Sequence, residues 1–164
     1  MPETRVVVIN TTPLIALSAA MGSLDILKTL YDRVIVPKEV VDELHAGGTQ
    51  AMGLTEFQAA HWIERRTENI QIVPYVRNTL DRGEAAVIQT AMDEKIERVC
   101  IDETVGRRVA RLCGLTLTGS IGVLIKARSL GYPVSMRESI ERMRANGIWL
   151  SESVVQFALA HDQV

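Results

Sequence analysis

The chain has 164 residues and a formal net charge of −2 at pH 7, and this length fits one domain of ordinary size. Apolar residues make up 47% of it and aromatic residues only 4%, which excludes a disordered chain and predicts a mainly aliphatic core. The slightly acidic balance excludes a basic nucleic-acid coat protein. Because no stretch is long and apolar enough to cross a bilayer, we expect no membrane contact and a cytoplasmic location.

In the first half of the chain, short aliphatic runs alternate with helical patterns. The run RVVVI (residues 5–9) predicts a buried strand, after which Thr12 caps and Pro13 opens a helix that ends at Gly22. The next elements are predicted as helix, strand, helix, helix and strand, at residues 23–32, 34–36, 38–47, 55–65 and 70–76. Pro74 favours a sheet edge for the last strand, because proline cannot donate to a strand ladder.

The second half continues this alternation. Helices are predicted at 81–94, 104–112 and 119–129, with strands at 98–101 and 115–118. The pattern indicates βαβ units and a mainly parallel sheet covered on both faces, which is an α/β fold. Helical patterns follow around 137–144 and 152–161. We therefore expect one domain over residues 1–164, with residues 132–164 as a C-terminal helical extension.

Polar residues fall where the strands of this sheet end. Ligands of open α/β sheets bind outside the carboxyl ends of the strands. Clustered carboxylates repel each other, and a hard cation such as Mg²⁺ or Mn²⁺ compensates this repulsion with oxygen ligands. The sequence therefore predicts a divalent-metal site suited to phosphodiester hydrolysis. The candidates come from separate segments: Asn10, Glu43, Glu84, Asp102, Glu103, Thr118 and Ser120.

Four segments resemble the motifs of the PIN-domain family of metal-dependent nucleases. VVVINTTPLIAL resembles the opening strand and turn, and VIVPKEVVDEL resembles the segment that supplies a glutamate, here Glu43. LDRGEAAVIQTA resembles the third motif, with Glu84. VCIDETVGRRVARLCGLTLTGSIGVL resembles the fourth, with Asp102. The segments follow the family's order and together cover residues 5–131.

This resemblance implies a three-layer α/β/α sandwich with a central sheet of about five parallel strands. It implies Glu43, Glu84 and Asp102 as catalytic residues that, with Asn10, ligate Mg²⁺ or Mn²⁺. RNA is the implied substrate. Some prokaryotic PIN-like proteins are thought to be toxins in VapBC-like pairs, so an antitoxin-like protein and a homo-oligomer such as a dimer are further expected partners. Four residues are expected around the ligands: Asp81, Glu103, Thr118 and Ser120.

Asn10 departs from the family pattern, which has an aspartate at this position. An asparagine keeps a carbonyl oxygen but carries no charge, and loss of a unit charge beside a divalent ion weakens binding by roughly a few kcal/mol. The change also relieves repulsion in the metal-free site. Two hypotheses follow: an endoribonuclease in which Asn10 is a weak neutral ligand, and a catalytically weakened or inactive module that binds RNA or a protein partner.

The acidic candidates also have structural interpretations. Asp102 is placed to cap the helix after its strand, and Glu84 to stabilise the positive end of its helix. Asn10 suits a turn. Glu43 lies near the negative end of its helix, where a carboxylate is unfavourable, and this misfit favours a functional role.

A basic stripe and two hydroxyl residues complete the candidates. Arg107, Arg108 and Arg111 follow Asp102 and are placed to receive an RNA backbone; a solvated helix face is the alternative. Thr118 and Ser120 either hydrogen-bond an acid or a phosphate, or cap the helix that follows them.

Overall fold

The computed structural model describes residues 3–47 and 52–162. Its strands are β1 (Val6–Ile9), β2 (Arg33–Val36), β3 (Glu64–Arg65), β4 (Arg98–Cys100) and β5 (Thr116–Thr118). Its helices are α1 (Thr11–Met21), α2 (Ile26–Leu30), α3 (Lys38–Ala46), α4 (Leu54–Ala59), α5 (Pro74–Thr79), α6 (Arg82–Asp93), α7 (Thr104–Leu112), α8 (Ser120–Ser129), α9 (Met136–Ala145) and α10 (Glu152–Ala160). Within these ranges, none of the helices has the length and apolar character needed to cross a membrane.

The strands form one parallel sheet in the order β3-β2-β1-β4-β5. β1 is central because its aliphatic residues are buried from both faces, as is typical of a parallel strand covered by helices. Val7 pairs with Val34 of β2 on one side and with Arg98 of β4 on the other. The α/β fold with a five-stranded central sheet, predicted from the sequence, is confirmed.

The term crevice refers here to the region outside the carboxyl ends of β1 and β4, where the strand order reverses. The chain leaves β1 towards β2 on one side, whereas β4 pairs with β1 on the other, so the strand order reverses here. The backbone N–H of Asn10 donates to the carbonyl oxygen of Cys100 at 3.1 Å, which places the ends of the two strands side by side. Such reversal points are where open α/β sheets bind their ligands.

The last two helices are packed onto the domain. α9 lies against α1, and α10 lies against α9. Met136 and Met143 of α9 are fully buried, as is Ala158 of α10. Arg142 of α9 also donates to the carbonyl oxygen of Ala20, near the end of α1, at 3.1 Å. The C-terminal helices thus support the helix that begins at the crevice.

One predicted strand is wrong. Residues 70–76 form no strand, because Pro74 begins α5, where its missing N–H leaves no broken helical hydrogen bond. The edge strand is instead β3, which lies inside the predicted helix 55–65. β3 has only two residues, both polar, and therefore no hydrophobic alternation to reveal it. Glu64 accepts two hydrogen bonds from Arg33 of β2, at 2.7 and 2.8 Å.

Candidate metal centre

Three helices begin at the crevice with a polar residue in the N-cap position. These residues are Asn10 of α1, Asp81 of α6 and Glu103 of α7. Asp81 caps its helix, since its carboxylate accepts a hydrogen bond from the backbone N–H of Glu84 at 2.9 Å. The side chains of Asn10 and Glu103 make no capping bond. Helix N-termini carry a positive partial charge, which helps several acids to lie close together.

The first helix begins earlier than the sequence indicated. Thr12 was the predicted cap, but α1 starts at Thr11 and Asn10 takes the cap position. Thr11 and Thr12 therefore lie in the first turn, and their hydroxyl groups are free to bind acids from other segments.

The carboxylates of Asp81, Glu84 and Glu103 converge. One oxygen atom from each lies within 4.8 Å of the other two. Glu84 is buried with 4% exposure, whereas Asp81 and Glu103 are exposed. Mg²⁺ holds oxygen ligands at about 2.1 Å, so two ligands of one ion lie at most about 4.2 Å apart. Small side-chain movements of the two exposed carboxylates are sufficient to meet that limit.

Glu84 is poorly satisfied in the absence of a cation. Its Oε1 atom is buried and has no hydrogen-bond partner within residues 3–47 and 52–162. Burial, hydrogen bonding with Glu103 and the charges of Asp81 and Glu103 raise the pKa of Glu84 to about 8. A buried carboxylate beside two others is costly unless positive charge compensates it. This environment is what a cation-binding carboxylate requires.

Glu43 borders the cluster from the side of α3. The hydroxyl group of Thr11 donates to its Oε2 atom at 2.5 Å. A Cβ atom at Gly83 would lie 2.6 Å from its Oε1 atom, so the carboxylate lies directly on the backbone of α6 beside Glu84. These two contacts connect α3 to the first turns of α1 and α6. The structure thereby places the second predicted acid next to the third.

A second set of contacts connects α7 to Glu84 and to the first turn of α1. A Cβ atom at Gly106 of α7 would lie 2.8 Å from Oε1 of Glu84. The hydroxyl group of Thr12 donates to Oε1 of Glu103 at 3.0 Å. The first turn of α1 therefore binds Glu43 through one threonine and Glu103 through the next. Glu84 lies between the segments that these two contacts join.

Asn10 has an unusual environment for an N-cap residue. It is 3% exposed, and its Oδ1 atom has no partner in the described part of the chain. An N-cap asparagine normally accepts a backbone N–H of the first turn, and this one does not. A buried carbonyl oxygen without a donor is unfavourable. Such an oxygen is suited to coordinate a divalent cation.

Asp102 makes contacts of a different kind. Its Oδ1 accepts the backbone N–H of Ser120 at 2.7 Å, and its Oδ2 accepts the hydroxyl group of Ser120 at 2.9 Å. Burial raises the pKa of Asp102, while these hydrogen bonds and the charge of Arg107 act in the opposite direction. Both oxygens thus fasten the end of β4 to the start of α8. Its role as a metal ligand stays a prediction.

The remaining candidates are divided between the interior and the surface. Arg107 is half-buried and donates to the carbonyl oxygen of Ile101 at 2.8 Å, so it helps to hold the end of β4. Arg108 and Arg111 are exposed on α7. The hydroxyl group of Thr118 makes a long contact of 3.4 Å with the carbonyl oxygen of Gly119. Ser120 binds the acid Asp102, one of the two roles predicted for it.

Asp81 and Glu103 were expected around the metal ligands, whereas their carboxylates lie in the cluster with Glu84. A signal for Asp81 was present, since Asp81 followed three residues later by Glu84 is the spacing of a helix cap and its N3 acid. Glu103 had none beyond its position after Asp102. Which of two adjacent acids faces the crevice depends on backbone direction at the strand end, and sequence spacing does not specify it.

The residues present fit a divalent cation of the Mg²⁺ or Mn²⁺ class. The donor set consists of carboxylate and amide oxygens, which these hard ions prefer. Two buried oxygens, Oε1 of Glu84 and Oδ1 of Asn10, have no partner among the described residues. The site therefore offers both charge and unused acceptors to a cation.

A family model described as a PIN domain matches residues 6–163 of the chain. The chain belongs to the PIN-domain family. No curated protein and no solved structure gives a significant match. This PIN domain therefore has a nuclease-type fold, and members of the family generally use divalent metals. The acidic cluster at the β1–β4 crevice is where this PIN domain is equipped to bind one.

Proposed function

We propose that this PIN domain is a metal-dependent endoribonuclease that uses Mg²⁺ or Mn²⁺. The observation that carries the proposal is the buried carboxylate of Glu84, one oxygen of which lacks a partner among the described residues. One oxygen from each of Glu84, Asp81 and Glu103 lies within 4.8 Å of the others. Glu43 lies on Gly83, next to Glu84, and Asn10 immediately precedes the threonines that bind Glu43 and Glu103, so both would supply further oxygen donors. RNA is proposed as the substrate from the family resemblance and from the exposed arginines of α7.

The residues of the chain have separable roles in this proposal. Glu84, Glu103 and Asp81 would hold the cation, with Glu43 and Asn10 beside them. When bound, the cation supplies Lewis acidity and offsets the charge of the phosphodiester. Thr11 and Thr12 orient Glu43 and Glu103 through their hydroxyl groups. Arg108 and Arg111 would attract the RNA backbone from the exposed side of α7.

The test combines metal binding with cleavage. Protein freed of metal by EDTA is titrated with Mn²⁺ by calorimetry, and cleavage of a fluorescent single-stranded RNA is followed with and without Mn²⁺. We expect binding and cleavage with Mn²⁺ and loss of both in Glu84→Gln. Glu141→Gln changes an exposed glutamate of α9 and should behave like the wild type. Equal cleavage by wild type and Glu84→Gln would identify a contaminating nuclease and refute the proposal.

A second candidate function rests on Asn10. The amide removes one negative charge from the site, so a weakened or inactive module that binds RNA or a protein partner is the alternative. Asn10→Asp discriminates between the two. A sharp rise in Mn²⁺-dependent cleavage identifies the natural protein as a weakened enzyme. If the substitution neither tightens Mn²⁺ binding nor yields cleavage, the binding module is favoured.

A toxin role with an antitoxin-like partner is proposed from the family resemblance alone. Expression of the wild-type chain should arrest growth of a bacterial host, and Glu84→Gln should relieve the arrest. Growth arrest by both proteins would argue against toxicity through RNA cleavage.

A further inference from the structure

A cavity of about 580 Å³ lies between α3, the segment 70–72 and the start of α6, and two of its lining residues, Leu80 and Arg82, flank Asp81 in the chain. Its volume is within the range that accommodates a nucleotide-sized ligand. Ile70, Ile72 and Leu80 give it aliphatic walls. The cavity is therefore suited to a flat apolar group such as a nucleobase.

Two basic side chains and one acid also line this cavity. Arg77 and Arg82 are exposed and bring positive charge to it, which suits the phosphate of a nucleotide. Glu39 is 3% exposed. Its Oε2 atom accepts the backbone N–H of Ile70 at 3.0 Å. Its Oε1 atom is itself buried and has no partner among the residues that the structure describes, so contact with a ligand requires a side-chain movement.

The cavity and the acidic cluster lie along the same two helices. Glu39 and Glu43 are four residues apart on α3, so they share one face of the helix and are separated by about 6 Å along its axis. On α6, Arg82 of the cavity immediately precedes Gly83, on which the Glu43 carboxylate lies. A nucleotide in the cavity would therefore lie next to a phosphate at the acidic cluster.

We infer that this cavity binds one nucleotide of the RNA substrate, with Glu39 selecting a base that carries an amino group. The inference rests on the proposed function. Adenine, cytosine and guanine each present an exocyclic amino group, which can donate to the free carboxylate oxygen. Uracil has no amino group, and its one ring donor, N3–H, lies between two carbonyl oxygens, which a carboxylate repels. Arg77 and Arg82 contact the phosphate of the same nucleotide and do not discriminate between bases.

The test uses the full chain without metal, so that binding is measured apart from cleavage. AMP, CMP, GMP and UMP are titrated separately and followed by NMR chemical shifts. We expect AMP, CMP and GMP to bind about tenfold more tightly than UMP, the effect of one hydrogen bond to a charged group. Glu39→Gln should reduce this preference to less than about threefold, because the charged acceptor is lost.

Two further variants keep the inference testable if Glu39→Gln does not fold. Arg77→Ala, at an exposed position, should weaken binding of all four nucleotides by a similar factor and leave the base preference intact. Arg137→Ala changes an arginine of α9 that does not line the cavity and should have no effect. Equal binding of UMP and AMP, absence of nucleotide binding, or an unchanged preference in a folded Glu39→Gln would each overturn the inference.

The cleavage assay distinguishes failure of this inference from failure of the proposed function. Selective nucleotide binding without Mn²⁺-dependent cleavage refutes the nuclease and leaves the nucleotide site. Cleavage that Glu84→Gln abolishes, without selective nucleotide binding, refutes the nucleotide site and leaves the nuclease.

Discussion

Glu84 is the residue whose environment is most difficult to explain without a cation. It is buried, lies beside Asp81 and Glu103, and has an oxygen atom with no partner in the described ranges. Its backbone N–H donates to the capping carboxylate of Asp81, so its main chain is held at the start of α6. The buried carboxylate destabilises the metal-free fold, and binding of a cation offsets this destabilisation.

The raised pKa of Glu84 predicts a pH-dependent stability. Below about 4.5 the carboxyl is protonated in both states. Between 4.5 and 8 only the unfolded chain ionises freely, so the metal-free protein loses stability as pH rises. Glutamine does not ionise, so the advantage of Glu84→Gln over the wild type in free energy of unfolding should grow by roughly 1 to 3 kcal/mol from pH 5 to pH 8. Urea unfolding in EDTA measures it. The free energy of unfolding of Glu141→Gln should equal that of the wild type. If Glu84→Gln is no more stable than the wild type, the pKa of Glu84 is not raised.

A second prediction at this scale separates Asp102 from Glu103. Both oxygens of Asp102 bind Ser120, so Asp102→Asn should cost roughly 1 to 3 kcal/mol of folding stability by turning a donor towards Ser120. If Asp102 acts only through Ser120, the Mn²⁺ affinity of Asp102→Asn should change by less than about threefold, whereas Glu103→Gln should lose about tenfold or more. Calorimetric titration measures both. If Asp102→Asn loses as much affinity as Glu103→Gln, Asp102 is a ligand.

At the scale of elements, two glycines allow helices to approach carboxylates closely. Gly83 of α6 makes room for Glu43, and Gly106 of α7 makes room for Glu84. Alanine is favoured over glycine inside a helix by about 1 kcal/mol, so helix formation does not explain these glycines. Contact with the acids does, because a methyl group at either position would occupy the space of a carboxylate oxygen.

Gly106→Ala should therefore displace Glu84 without breaking α7. Its Cβ atom would lie 2.8 Å from Oε1 of Glu84 and 3.0 Å from Cγ2 of Ile101. We expect Mn²⁺ affinity to fall about tenfold or more, since the buried carboxylate has little space to move. Gly122→Ala in α8 is the matched control, because its Cβ would lie 2.9 Å from the hydroxyl oxygen of Thr118 and would meet no carboxylate among the described residues. Equal Mn²⁺ affinity in both variants would contradict this role.

At the scale of the whole molecule, the C-terminal helices and the acidic site share α1. The first turn of α1 holds Glu43 and Glu103 through Thr11 and Thr12, and the body of α1 packs against α9. Residues 132–164 were predicted as a helical extension. The burial of α9 in the common core indicates that it stabilises the helix on which the site is built.

Met143→Ala tests this coupling. Met143 is fully buried in the core, so the change should lower the free energy of unfolding by about 2 to 5 kcal/mol. Urea unfolding should remain a single transition, because α9 and the sheet share one core. Trp149→Ala, at a side chain that is 82% exposed, should cost less than about 0.5 kcal/mol. Two separate transitions would show that the C-terminal helices fold independently.

Much of the fold was predictable because it is encoded locally. β1 is a continuous aliphatic run, and the helices after it carry caps, prolines and glycines at their ends. β3 was not predictable, because a two-residue polar strand is defined only by its pairing with β2. The strand predicted at residues 70–76 was wrong for a related reason. Proline occurs both at sheet edges and at the first position of helices, so Pro74 alone does not distinguish the two.

The sequence by itself determined the parallel sheet and the chemical groups available to the site. These groups are several acids and an asparagine in place of the family's first aspartate. Only the tertiary structure decided which oxygens meet. It turned Asp102 towards Ser120, and it brought Glu103 to Glu84 and Asp81. The physical reason is that side-chain direction at a strand end depends on helix packing and on hydrogen bonds between residues far apart in sequence. Spacing along the chain does not record those contacts.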